Sequence, residues 1–160
     1  GNRDFLVSKK ICKDLNIHLM IDPYIITHND IKILLLHGDT LCTDDKAYQE
    51  FREMVRSKNW QNEMLSKTLE ERLFLADNLR KKSIAANKDK GDDIMDVNNH
   101  EINKIIEQYS PDIIIHGHTH RPNVHKHNEV KRYVLGDWYD SFYILSLKDN
   151  KFTINKGRLK

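Results

Sequence analysis

The chain has 160 residues, of which 39% are hydrophobic and 31% are charged, and its formal net charge is +2. This composition predicts a globular protein with one hydrophobic core, and so small a net charge does not favour a nucleic-acid partner. The two cysteines have no spacing typical of a disulfide framework or a zinc site, and no apolar run approaches the roughly 18 residues that span a bilayer, so we expect a cytoplasmic protein.

The first predicted elements form a β-hairpin. The sequence opens with the turn-forming residues 1–4. Apolar runs at 24–27 and 31–36 then flank a His-Asn-Asp segment, and this order of strand, turn residues and strand predicts the hairpin.

The middle of the chain is predicted to be helical. Residues 44–90 contain neither Pro nor Gly, and their apolar positions recur at helical spacing. Helices are predicted at 44–57, 68–85 and 98–109, the last of them ended by a Ser-Pro pair. The apolar residues of the first two helices and the segment between them either pack on the sheet or form a lipid-facing surface, and they include Met64, Leu65, Leu69, Leu73, Ala76 and Leu79.

The C-terminal half is predicted to complete a single sheet. Strands are expected at 112–115, 131–135, 141–147 and 151–154. Together with the hairpin and the helices, they predict the α/β class, with a layered mixed β-sheet and flanking helices.

Two of the predicted strands end in turns that contain histidine. A His-Gly-Asp turn that begins at His37 follows the second strand of the hairpin, and a Gly-His-Thr-His turn with His118 and His120 follows the next predicted strand. Two histidines two residues apart on an extended segment point to the same side, where both can reach one metal ion. The carboxyl ends of strands in open α/β sheets are where sites are built, so we expect these side chains and Asn2 at one place.

The four candidate ligands offer one amide oxygen and three imidazole nitrogens. Hard divalent cations such as Mn²⁺ accept this mixed set, and a pair of such ions clamps a phosphoryl group while one activates water. Each residue also has an ordinary explanation: Asn2 as a turn former, His37 as a loop histidine, and His118 with His120 as a polar turn. His116, which precedes the glycine of the second turn, is not expected to be a ligand.

The order of these motifs resembles that of the calcineurin-like metallophosphoesterases. The blocks Gly-Asn-Arg-Asp, His-Gly-Asp and Gly-His-Thr-His occur here in the family's order. Four segments narrow the resemblance to the UDP-2,3-diacylglucosamine hydrolase family of lipid A biosynthesis; they are HGDTLCTDD at 37–45, IMDVN at 94–98, HGHTHRP at 116–122 and VLGDW at 134–138. The resemblance extends from residue 1 to about residue 147.

The resemblance implies a role for each matching residue. It makes Asn2, His37, His118 and His120 the metal ligands. It makes His118 and Arg3 the catalytic residues, and the forked guanidinium of Arg3 suits a phosphate group. The implied substrate-binding residues are Asn2, Arg3, Asp45, Ser83, Asn87, Lys90 and His118.

Some of these substrate positions have a structural alternative. Asp45 suits the start of a helix, where a carboxylate accepts backbone N–H groups. The segment 80–90 is rich in lysine and arginine, which is typical of a solvated helix face. The S-x3-N-x2-K pattern of Ser83, Asn87 and Lys90 favours binding of the nucleotide and sugar once the resemblance is considered.

The implied activity is hydrolysis of the pyrophosphate bond of UDP-2,3-diacylglucosamine to UMP and 2,3-diacylglucosamine 1-phosphate. Water would attack the α-phosphorus, with two Mn²⁺ ions per intact enzyme. A helical lid at about 44–90 would cover the acyl chains, and the protein would associate peripherally with the cytoplasmic face of the inner membrane. Two alternatives stay open: a metallophosphoesterase of other specificity, such as a phosphodiesterase or a phosphatase, and a non-catalytic remnant or binding module.

The first two motif blocks of the family, a D-x-H strand end and a later Gly-Asp block, have no counterpart before Gly1. We therefore expect residues 1–160 to be the C-terminal part of a single metallophosphoesterase domain whose N-terminal strands are missing. On that expectation, the chain alone holds at most one metal ion loosely and turns over poorly or not at all.

Overall fold

The computed structural model describes residues 1–2, 4–88, 91 and 94–159, without the side chains of residues 87 and 88. The chain forms two compact units, one made of Gly1–Leu41 and Val97–Lys160 and the other of Cys42–Asp96. In chain order the described helices and strands are α1 (Lys9–Asp14), β1 (Tyr24–His28), β2 (Ile31–Leu35), α2 (Lys46–Arg56), α3 (Lys58–Ser66), α4 (Leu69–Lys88), α5 (Asn99–Tyr109), β3 (Ile113–His116), β4 (Asn123–His127), β5 (Val130–Val134), β6 (Ser141–Lys148) and β7 (Lys151–Arg158).

The β1–β2 hairpin forms as predicted. Asn29 and Asp30 have φ values of 47° and 63°, which are the left-handed values of a tight hairpin turn. Asn and Asp tolerate this region because their short polar side chains bond locally. The two strands pair antiparallel, and Ile33 and Leu34 of β2 are buried in the core.

The larger sheet of the first unit has the strand order β1-β2-β3-β5-β4 and is mixed, which confirms the predicted α/β class. Its centre is parallel, because β3 pairs parallel with both β2 and β5. The three isoleucines that open β3 suit a central strand that is covered on both faces. Ile114 of β3 and Ile102 of α5 are both 0% exposed, so they lie in the core.

The expectation that the last two strands complete this sheet is wrong. β6 and β7 pair only with each other, in a separate two-stranded antiparallel sheet. Alternate residues of this pair, including Leu145, Phe152 and Ile154, pack against a core cluster of Ile33 and Tyr133 with Ile113. An alternating pattern gives a strand one apolar face, so β6 and β7 cover the larger sheet as a second layer.

Side-chain caps set the starts of several helices. Ser8 caps α1 and Asn98 caps α5, each accepting a backbone N–H with its side-chain oxygen. Ser57 ends α2 and caps α3 through the Trp60 N–H at 3.3 Å. Helix α3 was not predicted, nor were α1 and β4.

The second unit contains α2, α3 and α4. Val55 of α2 and Met64 of α3 are buried. By contrast, Leu65, Leu69 and Leu73 are 51%, 66% and 62% exposed. A pocket of about 190 Å³ within this unit is lined by Trp60, Glu63, Met64, Lys67, Leu75 and Leu79.

Within the described ranges, no helix combines the length and the apolar character that crossing a bilayer requires.

Candidate metal centre

His37 and His118 emerge from neighbouring parallel strands at the same edge of the sheet. β2 and β3 are paired through Leu35 and Ile115, and the ladder continues past both strand ends, where the Gly117 N–H donates to the His37 carbonyl at 3.0 Å. The two imidazole rings meet edge to face, with centroids 5.0 Å apart. The parallel register therefore brings together two histidines that lie far apart in the sequence.

Asn2 completes a cluster with these two histidines. Its Oδ1 atom lies 2.9 Å from Nε2 of His37. Neighbouring ligands of a six-coordinate cation with bonds near 2.1 Å are about 3 Å apart, so these two atoms are spaced like adjacent ligands. The donor set of one amide oxygen and two imidazole nitrogens is one that first-row divalent cations accept, and it fits the predicted centre.

His120 has different surroundings. Its Nδ1 atom lies 3.7 Å from Oδ2 of Asp137, and both side chains are partly exposed. Among the described residues, no three His, Cys, Asp or Glu side chains converge closely enough to hold one metal ion. The cluster found here thus consists of Asn2, His37 and His118, without His120.

The geometric argument that predicted adjacent ligands in the Gly-His-Thr-His turn is wrong. β3 ends at His116, and the turn that follows is bent rather than extended. His118 and His120 both have left-handed backbones, with φ values of 63° and 53°. Such conformations are uncommon for residues other than glycine and concentrate at functional sites, where the surrounding fold holds them in place.

Two acidic residues beside His37 received no role from the sequence. Asp22 accepts the His37 backbone N–H with Oδ2 at 3.0 Å and so fixes the start of the His-Gly-Asp turn. Asp39 of the same turn is 0% exposed, which is exceptional for a carboxylate. Its position in the motif was visible in the sequence, whereas Asp22 gave no signal because it lies in a segment without periodicity.

The remaining candidate residues lie in the second unit or outside the described residues. Asp45 caps α2 by accepting the Tyr48 N–H at 3.1 Å, which confirms the structural alternative for this residue and leaves its substrate role a prediction. Ser83 is exposed on α4, and Asn87 follows one turn later on the same helix, its side chain outside the description. Arg3 and Lys90 both lie outside the described residues.

Comparison with known proteins agrees with the motif order. The UDP-2,3-diacylglucosamine hydrolase of Bordetella pertussis is 43% identical over 142 residues, which cover 86% of this chain and 55% of the relative. The protein of the same name from Haemophilus influenzae is 42% identical and is matched over 89% of this chain and 60% of its own length. The chain therefore spans somewhat more than half the length of the curated relatives it matches.

Among solved structures, a novel archaeal phosphodiesterase aligns with 94% of this chain and 59% of its own, at 15% identity and a TM-score of 0.45. A likeness this distant carries no argument about function. The sequence profile described as calcineurin-like phosphoesterase, by contrast, matches residues 1–122, which include Asn2, His37 and His118. Since that match spans most of the chain and runs through the whole cluster, the protein belongs to the calcineurin-like phosphoesterase family.

Proposed function

We propose that this chain is part of an enzyme that hydrolyses the pyrophosphate bond of UDP-2,3-diacylglucosamine, giving UMP and 2,3-diacylglucosamine 1-phosphate in lipid A biosynthesis. The observation that carries the proposal is the cluster of Asn2, His37 and His118 in a chain 43% identical to a relative named for this activity. The family model matches residues 1–122, which include all three residues of the cluster.

The family implies divalent metal ions, and we propose Mn²⁺ held by Asn2, His37 and His118, which lie together, and by His120, which the motif order assigns although it lies outside this cluster. When bound, a pair of such ions lowers the pKa of a water molecule and neutralises charge on the phosphate oxygens. The water oxygen then bonds to the α-phosphorus, the bond from that phosphorus to the bridging oxygen breaks, and the water proton passes to solvent.

The protein's own groups orient the phosphates in this proposal. Arg3 follows Asn2 directly in the sequence, and its planar guanidinium can bind two phosphate oxygens at once. His118 lies against His37 with its ring edge to face, so it sits within the proposed metal cluster, next to the bound phosphates. We assign both residues to catalysis for these reasons.

The second unit supplies the contacts to nucleotide, sugar and acyl chains in this proposal. Ser83 and Asn87 are four residues apart in the sequence of α4, and Lys90 follows Asn87 three residues later, which is the S-x3-N-x2-K pattern. Asp45, at the start of α2, is the fourth assigned contact. Leu69, on the same helix as Ser83, is one of several exposed apolar side chains suited to a lipid, the others being Leu65, Leu73, Phe74 and Ile84.

We also propose that the protein works at the cytoplasmic face of the inner membrane as a peripheral protein. The support is chemical: a substrate with two acyl chains partitions into a bilayer, and the exposed apolar side chains of α3 and α4 offer contact area.

The experiment that tests the activity is an assay of the full reading frame that contains this chain, with UDP-2,3-diacylglucosamine and Mn²⁺ in H₂¹⁸O. The expected result is UMP that carries ¹⁸O, because water attacks the α-phosphorus. Label found only in the sugar phosphate, or no turnover, would overturn the proposed reaction.

A variant pair tests the substrate assignment in the same assay. Lys90→Ala is expected to reduce kcat/KM by about tenfold or more, the loss that removal of one charge-assisted phosphate contact produces. Lys82→Ala, an exposed lysine of α4 without an assigned role, is the matched control. Unchanged kinetics for Lys90→Ala would favour a phosphoesterase of other specificity.

A further inference from the structure

His116 is a buried histidine that lies behind the candidate metal centre. It is 1% exposed, and both of its ring nitrogens have partners: Nδ1 lies 3.0 Å from the Gly117 carbonyl oxygen and Nε2 lies 2.9 Å from Nη1 of Arg132. A guanidinium only donates hydrogen bonds and a carbonyl only accepts them. Both contacts therefore specify the same tautomer of His116, with its proton on Nδ1.

Arg132 is equally buried and spans three strands. It lies on β5, is 4% exposed, and donates from Nη1 to His116 of β3. Its Nε–H donates to Nε2 of His127 on β4 at 3.2 Å. Nε and Nη1 of the planar guanidinium thus contact β4 and β3, so Arg132 fixes the orientation of the His116 ring.

The His116 ring contacts both loops that carry the candidate ligands. A Cβ atom added to Gly38 would lie 2.7 Å from its Nδ1 and 3.3 Å from the Gly117 carbonyl oxygen, so the ring and the Gly117 carbonyl both lie directly beneath the His-Gly-Asp turn. The same Nδ1–H donates to the carbonyl of Gly117, the residue before His118. A rotation of this ring would therefore break the bond to Gly117 and change the contact with Gly38.

We infer that Arg132 is a positioning residue, which holds His116 in the Nδ1–H tautomer and thereby sets the separation of the His37 and His118 imidazoles. The inference deepens the proposed function and rests on it insofar as these histidines are metal ligands. Partners that orient a ligand from behind usually change metal affinity by roughly 10- to 100-fold when they are removed.

The experiment compares the wild-type chain with Arg132→Met and with Lys131→Met, its exposed neighbour on β5. The first readout needs no metal: ¹⁵N spectra report the His116 tautomer, and a nuclear Overhauser effect reports the contact between the rings of His37 and His118. We expect Nδ1–H in the wild type and in Lys131→Met, and a changed tautomer and a lost ring contact in Arg132→Met.

The second readout is Mn²⁺ titration, followed by paramagnetic broadening of the His37 and His118 signals. Arg132→Met is expected to weaken binding by roughly tenfold or more, and Arg132→Lys, which keeps a cationic donor, to recover part of the loss. If the wild type shows no broadening, the proposed metal centre fails, while the ring contact still decides the role of Arg132.

Two results would overturn the inference. One is an Nε2–H tautomer for His116 in the wild-type chain, a measurement that does not depend on any variant folding. The other is an Arg132→Met variant that keeps the tautomer, the ring contact and the Mn²⁺ affinity of the wild type.

Discussion

Gly38 lies directly against the ring of His116, with no room for a side chain between them. A Cβ atom at Gly38 would fall 2.7 Å from Nδ1, and the backbone φ there is +108°, a value that L-residues rarely adopt. Steric fit and backbone conformation therefore both demand glycine at the centre of the His-Gly-Asp turn.

Gly38→Ala is expected to destabilise the protein by about 1–3 kcal/mol, because the turn must shift and the new residue is strained. Urea denaturation measures this change in the free energy of unfolding. Gly91→Ala is the control, since a Cβ at Gly91 meets nothing within 4 Å. Equal unfolding midpoints for the two variants would contradict the prediction.

Asp22→Ala is expected to loosen the start of the same turn. The substitution leaves the His37 backbone N–H without its carboxylate acceptor, and a hydrogen bond to a charged group contributes about 1.5–3 kcal/mol. Amide hydrogen exchange at His37 should speed up in Asp22→Ala and change less in Asp22→Asn, which keeps an acceptor oxygen. Equal protection in the wild type and Asp22→Ala would refute the role given to Asp22.

His127 is expected to make the stability of the protein fall on mild acidification. Burial first, then the positive charges of Arg132 and His125, lower the pKa of His127 in the folded state. As the pH falls, His127 is therefore protonated in the unfolded chain before it is protonated in the folded chain. The stability that neutral His127 contributes is present above about pH 6.5 and is lost as the pH falls below that value.

The free energy of unfolding at pH 7.5 and pH 5.5 measures this effect. His127→Gln is expected to narrow the difference between the two values, whereas His100→Gln, at an exposed position of α5, should keep the wild-type difference. The prediction fails if both variants behave alike.

The 160-residue chain is expected to bind at most one Mn²⁺ ion, and weakly, because the cluster of Asn2, His37 and His118 offers three protein ligands to a single ion. Isothermal titration calorimetry gives the stoichiometry and the dissociation constant. His37→Ala should abolish binding, and His28→Ala, an exposed histidine of β1, should leave it unchanged. Two tightly bound ions per chain would show the prediction to be wrong.

Strong local signals made much of the fold predictable. The Asn-Asp turn between two apolar runs predicted the hairpin, and the isoleucine run of β3 predicted a strand. β4 gave no such signal, because its sequence Asn-Val-His-Lys-His contains a single apolar residue, Val124. Its pairing with β5 is decided by tertiary contacts.

The candidate site was predictable in its residues and less so in its geometry. Motif order pointed to Asn2, His37 and His118, which the fold brings together. The left-handed backbone of His118, and the Arg132 that holds His116 from a neighbouring strand, depend on contacts between distant segments. No pattern of spacing along one segment reports such contacts.

The backbone hydrogen bond from the Asn98 N–H to the Leu41 carbonyl, 2.8 Å long, joins the two points at which the chain leaves and re-enters the first unit. The helical segment between them therefore begins and ends at the same place in the first unit. Because the entropy of closing a loop grows only slowly with its length, the length of this segment has little effect on the register of β2 against β3. That segment can therefore be exchanged or remodelled without changing the strand register that brings His37 and His118 together.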